Sequence, residues 1–391
     1  MSEQQSKQLA FMYFPQDYRW SIGMLLALGA APWGGAEIDE VHRVGLSLGD
    51  HVGDDAQWFA QWAKMGEKVE RRGRQSRHNR TIAACLMRAA NYYHIGERFL
   101  QPKSADGMAI FRRGVECFQE AAKLISRPKI EAVEVPYEGK SLPGLLVHAE
   151  SAGRRAPAMV FFDGFDITKE IQYFRGVPEL AARGIACLIV DGPGNGESIR
   201  FRGLTLHHET ERYGRAAYEY LAGRPEFDPA RIGIMAISLG GYYAPRAAAF
   251  ERRFACCVAW GAQWDYHATW KDRLERLAKQ ESVALPVAAD HLMWIFGVRT
   301  PEEAMKRLEG FRLDGVAQKI QCPFLLVHGE RDAQIPLEFA EKLYNAVGSE
   351  EKTLRVFTPD EGGFHHCQID NSTIAVEYIA DWLEEVLEPG R

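Results

Sequence analysis

From residue 158 onward the chain alternates short, wholly apolar runs with stretches of helical character, and this rhythm restricts the possible folds more than any other feature. The runs are residues 158–162, 185–190, 232–237, 255–260, 324–327 and 354–357. Helical stretches such as 178–183, 210–222 and 374–386 lie between most of them. A strand that is apolar on every side chain must be covered on both faces, which in a chain with intervening helices means a parallel sheet. Two alternating segments, 129–135 and 144–148, precede the rhythm and read as an opening pair of strands. The expected fold class is α/β with a mostly parallel sheet.

The remaining segments differ in kind. Up to about residue 126 no strand-like alternation is visible. Ile82, Cys85, Leu86, Ala89, Tyr92, Tyr93, Ile95 and Phe99 recur at helical spacing. An N-terminal helical domain, 1–126, is therefore expected before a second domain, 127–391. Within the latter, 264–320 interrupts the rhythm with Trp, Leu, Arg and Glu and no buried strand. An insertion there would lie over the carboxyl ends of the strands, where open α/β sheets bind ligands, so it reads as a helical lid. At 391 residues, with 46% hydrophobic and 26% charged residues, the chain is globular in composition. A net charge of −6 offers no basic excess to hold a phosphate backbone, which speaks against nucleic acid as a partner. No segment is long and apolar enough for a membrane span, and the polar opening residues lack a leader pattern. The seven cysteines form no C-x-x-C pair, which fits reduced thiols and a cytoplasmic location. No clustered ligand set for a metal is present, and no cofactor is expected.

The chemistry concentrates in three places. Ala236-Ile237-Ser238-Leu239-Gly240-Gly241 follows an apolar run and opens a helix. A nucleophilic serine on a sharp strand-to-helix turn needs small residues two before and two after it, and Ala236 and Gly240 meet that need. Helix capping by Ser238 is the competing explanation. Further on, His328-Gly329-Glu330-Arg331-Asp332 ends a strand, which makes Asp332 the candidate for orienting a histidine, with Glu330 as alternative and a turn aspartate as the plain explanation. After the last strand comes Glu361-Gly362-Gly363-Phe364-His365-His366-Cys367, where spacing alone leaves His365 and His366 open as the base. Serine, acid, histidine is the chain order of the α/β-hydrolase fold. The same fold needs two backbone N–H donors for an oxyanion, and Leu239 and Phe165, in Asp163-Gly164-Phe165-Asp166, occupy those places.

Taken together, several motifs resemble one α/β-hydrolase group. These are Phe162-Asp163-Gly164-Phe165-Asp166-Ile167-Thr168-Lys169-Glu170, the loop Asp191-Gly192-Pro193-Gly194-Asn195-Gly196-Glu197-Ser198, the serine turn, Cys257-Val258-Ala259-Trp260-Gly261-Ala262, and Glu361-Gly362-Gly363-Phe364-His365-His366-Cys367-Gln368. The group comprises 2,6-dihydroxypseudooxynicotine hydrolase, the fermentation–respiration switch proteins and fungal hydrolases that shorten polyketides. The resemblance implies Ser238 as nucleophile, Asp332 as acid, His366 rather than His365 as base, and a homodimer. It also implies a small-molecule aromatic or polyketide-like substrate cleaved at a C–C bond beside a carbonyl or at an ester. Asp163, Trp264 and Asp265 are the candidate substrate-binding residues. Trp260, Trp264, Trp270 and Trp294 would suit a flat ligand, although each can equally serve packing. A broad carboxylesterase or thioesterase, or a binding protein that keeps the fold without catalysis, are the alternatives.

Overall fold

The computed structural model describes residues 11–151 and 155–390. Its eight strands are β1 (Ile130–Tyr137), β2 (Lys140–Val147), β3 (Ala156–Phe162), β4 (Ala186–Val190), β5 (Phe227–Ile237), β6 (Cys257–Trp260), β7 (Phe324–Gly329) and β8 (Lys352–Phe357). They form one sheet in the order β1-β2-β4-β3-β5-β6-β7-β8. β1 pairs with β2 and β2 with β4 antiparallel, and every other pairing is parallel. Strands β3, β4, β6 and β7 are buried at every position, as their unbroken apolar runs require. The α/β-hydrolase fold class read from the sequence is the fold observed.

Five long helices precede the sheet: Tyr18–Gly29, Ile38–Leu48, Asp55–Arg74, Asn79–Glu97 and Ala105–Leu124. Their centre is aromatic. The Trp58 ring lies 5.0 Å from Trp20, 5.6 Å from Trp62 and 4.9 Å from Phe99. Gly23 makes this possible, because a Cβ there would come within 2.7 Å of the Trp58 ring. The apolar core then continues without a break into the sheet. Residues 264–320 form the helices Tyr266–Ala278, Asp290–Phe296 and Pro301–Leu308 plus a short 3-10 turn, with no strand among them. No helix among the described residues is long and apolar enough to cross a membrane. All seven cysteines are free thiols.

Two of the sequence motifs lock together in the loops that follow β3 and β4. The Asp191 carboxylate accepts from the backbone N–H of Lys169 at 2.8 Å and of Glu197 at 2.9 Å. The Lys169 ammonium, 1% exposed, contacts Glu170 at 2.6 Å, Asp191 at 3.0 Å and Glu197 at 2.6 Å. Gly196 has to be glycine here, since φ is +44° and a Cβ would overlap the Asp191 carboxylate. One buried cation thus bridges three acidic side chains and ties the loop after β3 to the loop after β4. Lys169→Met, similar in length but uncharged, leaves those carboxylates without a counter-ion. The variant is expected to lose about 3–5 kcal/mol of stability, read as a lower urea midpoint.

Candidate active site

Ser238 sits immediately after β5 with φ +62°, a left-handed conformation that a non-glycine residue adopts only under constraint. The constraint is crowding. A Cβ on Gly240 would come within 2.5 Å of the Ala236 methyl, and one on Gly241 would overlap the Gly261 carbonyl oxygen. A Cβ on Gly164 would lie 2.6 Å from the Ile237 carbonyl oxygen and 2.9 Å from the Ser238 Cβ. Three loops therefore press on the serine turn, and small residues at these positions let them do so. The Ser238 backbone N–H is itself held by the Trp260 carbonyl at 2.8 Å.

The Ser238 hydroxyl is 2.8 Å from His366 Nε2, and His366 Nδ1 is 2.7 Å from Asp332 Oδ2. The other Asp332 oxygen accepts from the backbone N–H groups of Gln334 at 2.7 Å and Ile335 at 3.0 Å. Burial would raise the pKa of this carboxyl, but His366 and these hydrogen bonds hold it below the ordinary range. For His366 burial opposes the imidazolium, yet the Asp332 charge outweighs it, and the pKa lies above the ordinary value. Cys367 and Gln368, each at φ +50°, bend the chain sharply after His366, and Gln368 is anchored by Trp260 Nε1 at 2.6 Å. This double turn, which nothing in residue type announced, aims the imidazole back at the serine. His365 points elsewhere: its ring stacks on Phe364 at 4.3 Å. Glu330 pairs with Arg331 at 3.6 Å.

A narrow pocket opens over these groups, and Ser238, His366, Asp163 and Phe165 are among the residues that line it. Gly164 brings Phe165 and Leu239 to the same corner, since its Cβ position lies 3.2 Å from the Leu239 nitrogen. The rest of the lining carries no local mark in the sequence. It is built by Ile22, Leu26 and Arg98 from the N-terminal helices, by Arg175, and by Pro286 from the 264–320 segment. Ile22 and Leu26 are apolar residues of the helix Tyr18–Gly29, and nothing local distinguishes an apolar position facing a cavity from one facing a core. Two of the candidate ligand contacts lie outside this lining. Asp265 caps the helix Tyr266–Ala278 through Ala268 N–H at 2.8 Å and pairs with Arg312 at 2.8 Å. Trp264 adjoins it, and neither residue lines the pocket. Trp260 and Trp270 are buried packing residues, and Trp294 stacks on His291 at 5.3 Å. The wall is mainly aliphatic rather than a tryptophan cage. No group of three or more His, Cys, Asp or Glu side chains among the described residues could hold a metal ion.

Because the Gly241 position abuts backbone rather than a flexible side chain, Gly241→Ala has no cheap relaxation. The variant is expected to lose about 3 kcal/mol of stability, at the upper end of overpacking costs. It should also lose covalent labelling of Ser238 by a fluorophosphonate while the fold persists by circular dichroism.

Residues 171–390 match the model of the prolyl oligopeptidase family. Over 97% of its length the chain is 28% identical to the hydrolase acrC of Aspergillus aculeatus, 99% of which is covered. It is also 28% identical to the 2,6-dihydropseudooxynicotine hydrolase of Paenarthrobacter nicotinovorans, over 92% of each protein. The crystal structure of 2,6-dihydroxy-pseudo-oxynicotine hydrolase matches with a TM-score of 0.76 at 27% identity, covering 92% of this chain and 95% of that one. With strands β4 to β8 inside the family match, and with this likeness along nearly the whole chain, the protein belongs to the prolyl oligopeptidase family of serine-type α/β-hydrolases, in the group that contains the 2,6-dihydroxypseudooxynicotine hydrolase.

Proposed function

We propose that the protein is a serine hydrolase that cleaves a C–C bond adjacent to a carbonyl, or an ester, in an aromatic or polyketide-like small molecule, through an acyl-enzyme on Ser238. The observation that carries this reading is the unbroken chain of short hydrogen bonds from the Ser238 hydroxyl through His366 to Asp332. His366 takes the hydroxyl proton as Ser238 attacks the carbonyl carbon, and Asp332 stabilises the imidazolium that forms. The N–H groups of Leu239 and Phe165 receive the oxyanion. The imidazolium then protonates the departing carbon or oxygen, and a water activated by His366 releases the acid. The names of the relatives, hydrolases of small organic molecules among them, support the substrate class. The narrow aliphatic pocket supports it too, for it suits a slim organic ligand better than a polypeptide. In this reading Asp163 contacts the ligand, residues 1–126 form a helical module above the 127–391 hydrolase unit, and 264–320 acts as its lid. The protein is taken to work as a cytoplasmic homodimer without a cofactor.

Ser238→Ala is expected to abolish turnover of an aryl ketone or aryl ester and to prevent fluorophosphonate labelling. Undiminished turnover would refute the nucleophile. Because catalysis needs a neutral imidazole, and Asp332 raises the His366 pKa, the acid limb of kcat/KM should lie above the free-histidine value of about 6.5. Activity is lost as pH falls through it. Asp332→Asn removes the charge that raises it, so the acid limb should move to lower pH, with kcat down by about 10⁴-fold. A limb that stays where it was would show that the carboxylate does not act on His366.

A further inference from the structure

A second cavity lies beside the acid turn and contains a buried cation of its own. Its lining includes Asp332, Ala333 and Gln334 from that turn, and Arg273, Arg276 and Val283 from the 264–320 segment. Gln334 also lines the serine pocket, whereas Ser238 and His366 are not part of this second lining. Arg273, on the helix Tyr266–Ala278, is 5% exposed. Its Nη2 donates to the Gln334 carbonyl at 3.3 Å, and its guanidinium lies over the Trp270 ring at 5.3 Å. The Tyr266 hydroxyl also neighbours it, a neutral group whose pKa burial pushes up to about 12. No carboxylate among the described residues lies within 4.0 Å of it. Its nitrogens either bond or reach solvent, unlike the sealed Nη1 of Arg175, and the cavity is the solvent this side chain lines. The other charged side chains of the lining already have partners. Asp332 holds His366 at 2.7 Å, and Arg276 meets Glu281 at 3.3 Å and Asp272 at 3.8 Å. Within this lining Arg273 is the charge without a counter-charge.

We propose that this cavity is a binding site for a small organic monocarboxylate, separate from the serine site, with Arg273 as its anchor. A guanidinium stays protonated at any working pH, and its planar fork matches a carboxylate. A bound anion supplies the charge that the surrounding fold withholds, which a neutral ligand cannot do. The rest of the lining selects the body of the ligand. Val283, Ala284, Ala333, Pro336 and Phe339 are apolar and suit an aryl ring or a short hydrocarbon. Asp272, also in the lining, repels a second negative charge, so a monocarboxylate fits better than phosphate. The site adjoins the catalytic acid through one residue. Gln334 accepts from Arg273 at its carbonyl, and its N–H donates to Asp332 at 2.7 Å.

The probes are benzoate, its neutral analogue benzamide, and inorganic phosphate, titrated by calorimetry into wild type, Arg273→Gln and Arg273→Lys. Wild type should bind benzoate in preference to the other two. Arg273→Gln should weaken benzoate by about 10-fold or more, the loss that follows removal of a charge-assisted hydrogen bond. Arg273→Lys, which keeps the charge, should weaken it less. No benzoate binding by wild type, or equal affinity in wild type and Arg273→Gln, would overturn the proposal. Benzamide or phosphate bound as tightly as benzoate would overturn it too. Wild type blocked at Ser238 by a short-chain fluorophosphonate should keep its affinity for benzoate. Loss of that affinity on blocking would place the anion in the serine pocket and sink the assignment. Should Arg273→Gln fail to fold, Ala284→Trp fills the cavity and leaves the arginine in place. That variant should lose benzoate binding, and unaltered affinity would again count against the site. If Ser238 takes no label, the hydrolase reading fails, while the titrations of unlabelled protein still decide this proposal.

Discussion

The architecture turns on one crowded point, the end of β5, where the backbone leaves no space for side chains on its neighbours. Ser238 is held in a left-handed conformation because Gly240, Gly241 and Gly164 allow three loops to close around it. Strain of this kind persists only where the surroundings over-determine it, and here they do. The same crowding packs Gly164 against the Ser238–Leu239 backbone. A loose turn at this place would leave the hydroxyl free to rotate away from the imidazole.

A second layer of order supports this point from below. The Lys169–Asp191–Glu197 cluster joins the loops after β3 and β4 with one buried cation, so that the loop carrying Phe165 has a fixed base. From above, the N-terminal helices close the pocket. Ile22 and Leu26 supply its apolar wall, and Tyr18 accepts from Gln334 at 3.1 Å, two residues beyond Asp332. The helical layer thus touches the acid turn directly and contributes side chains to the binding surface.

Much of this was legible along the chain. The apolar runs specify buried parallel strands because no other arrangement covers both faces of such a strand. Ala236, Gly240 and Gly241 betray the tight turn, because the backbone there excludes larger residues. The order of serine, acid and histidine groups was legible as well, whereas the choice between His365 and His366 was open from spacing and turned on motif resemblance. The structure places Trp264 and Asp265 outside the lining of the serine pocket, for a physical reason. A residue at a strand end can as readily cap the next helix as face a ligand, and Asp265 finds its partners in Ala268 and Arg312.

By itself, then, the sequence determined what depends on short range: which segments are strands, where the chain must turn sharply, and which polar residues end on the sheet's carboxyl edge. Hydrophobic period and side-chain size are local properties, and they suffice for that. Only the tertiary structure decided what the pocket is made of. Ile22, Arg98 and Pro286 line one pocket with Ser238 from distant parts of the chain, and which side chains share a cavity depends on every element packed around it. Burial and charge compensation are sums over neighbours in space, and no stretch of sequence contains those neighbours.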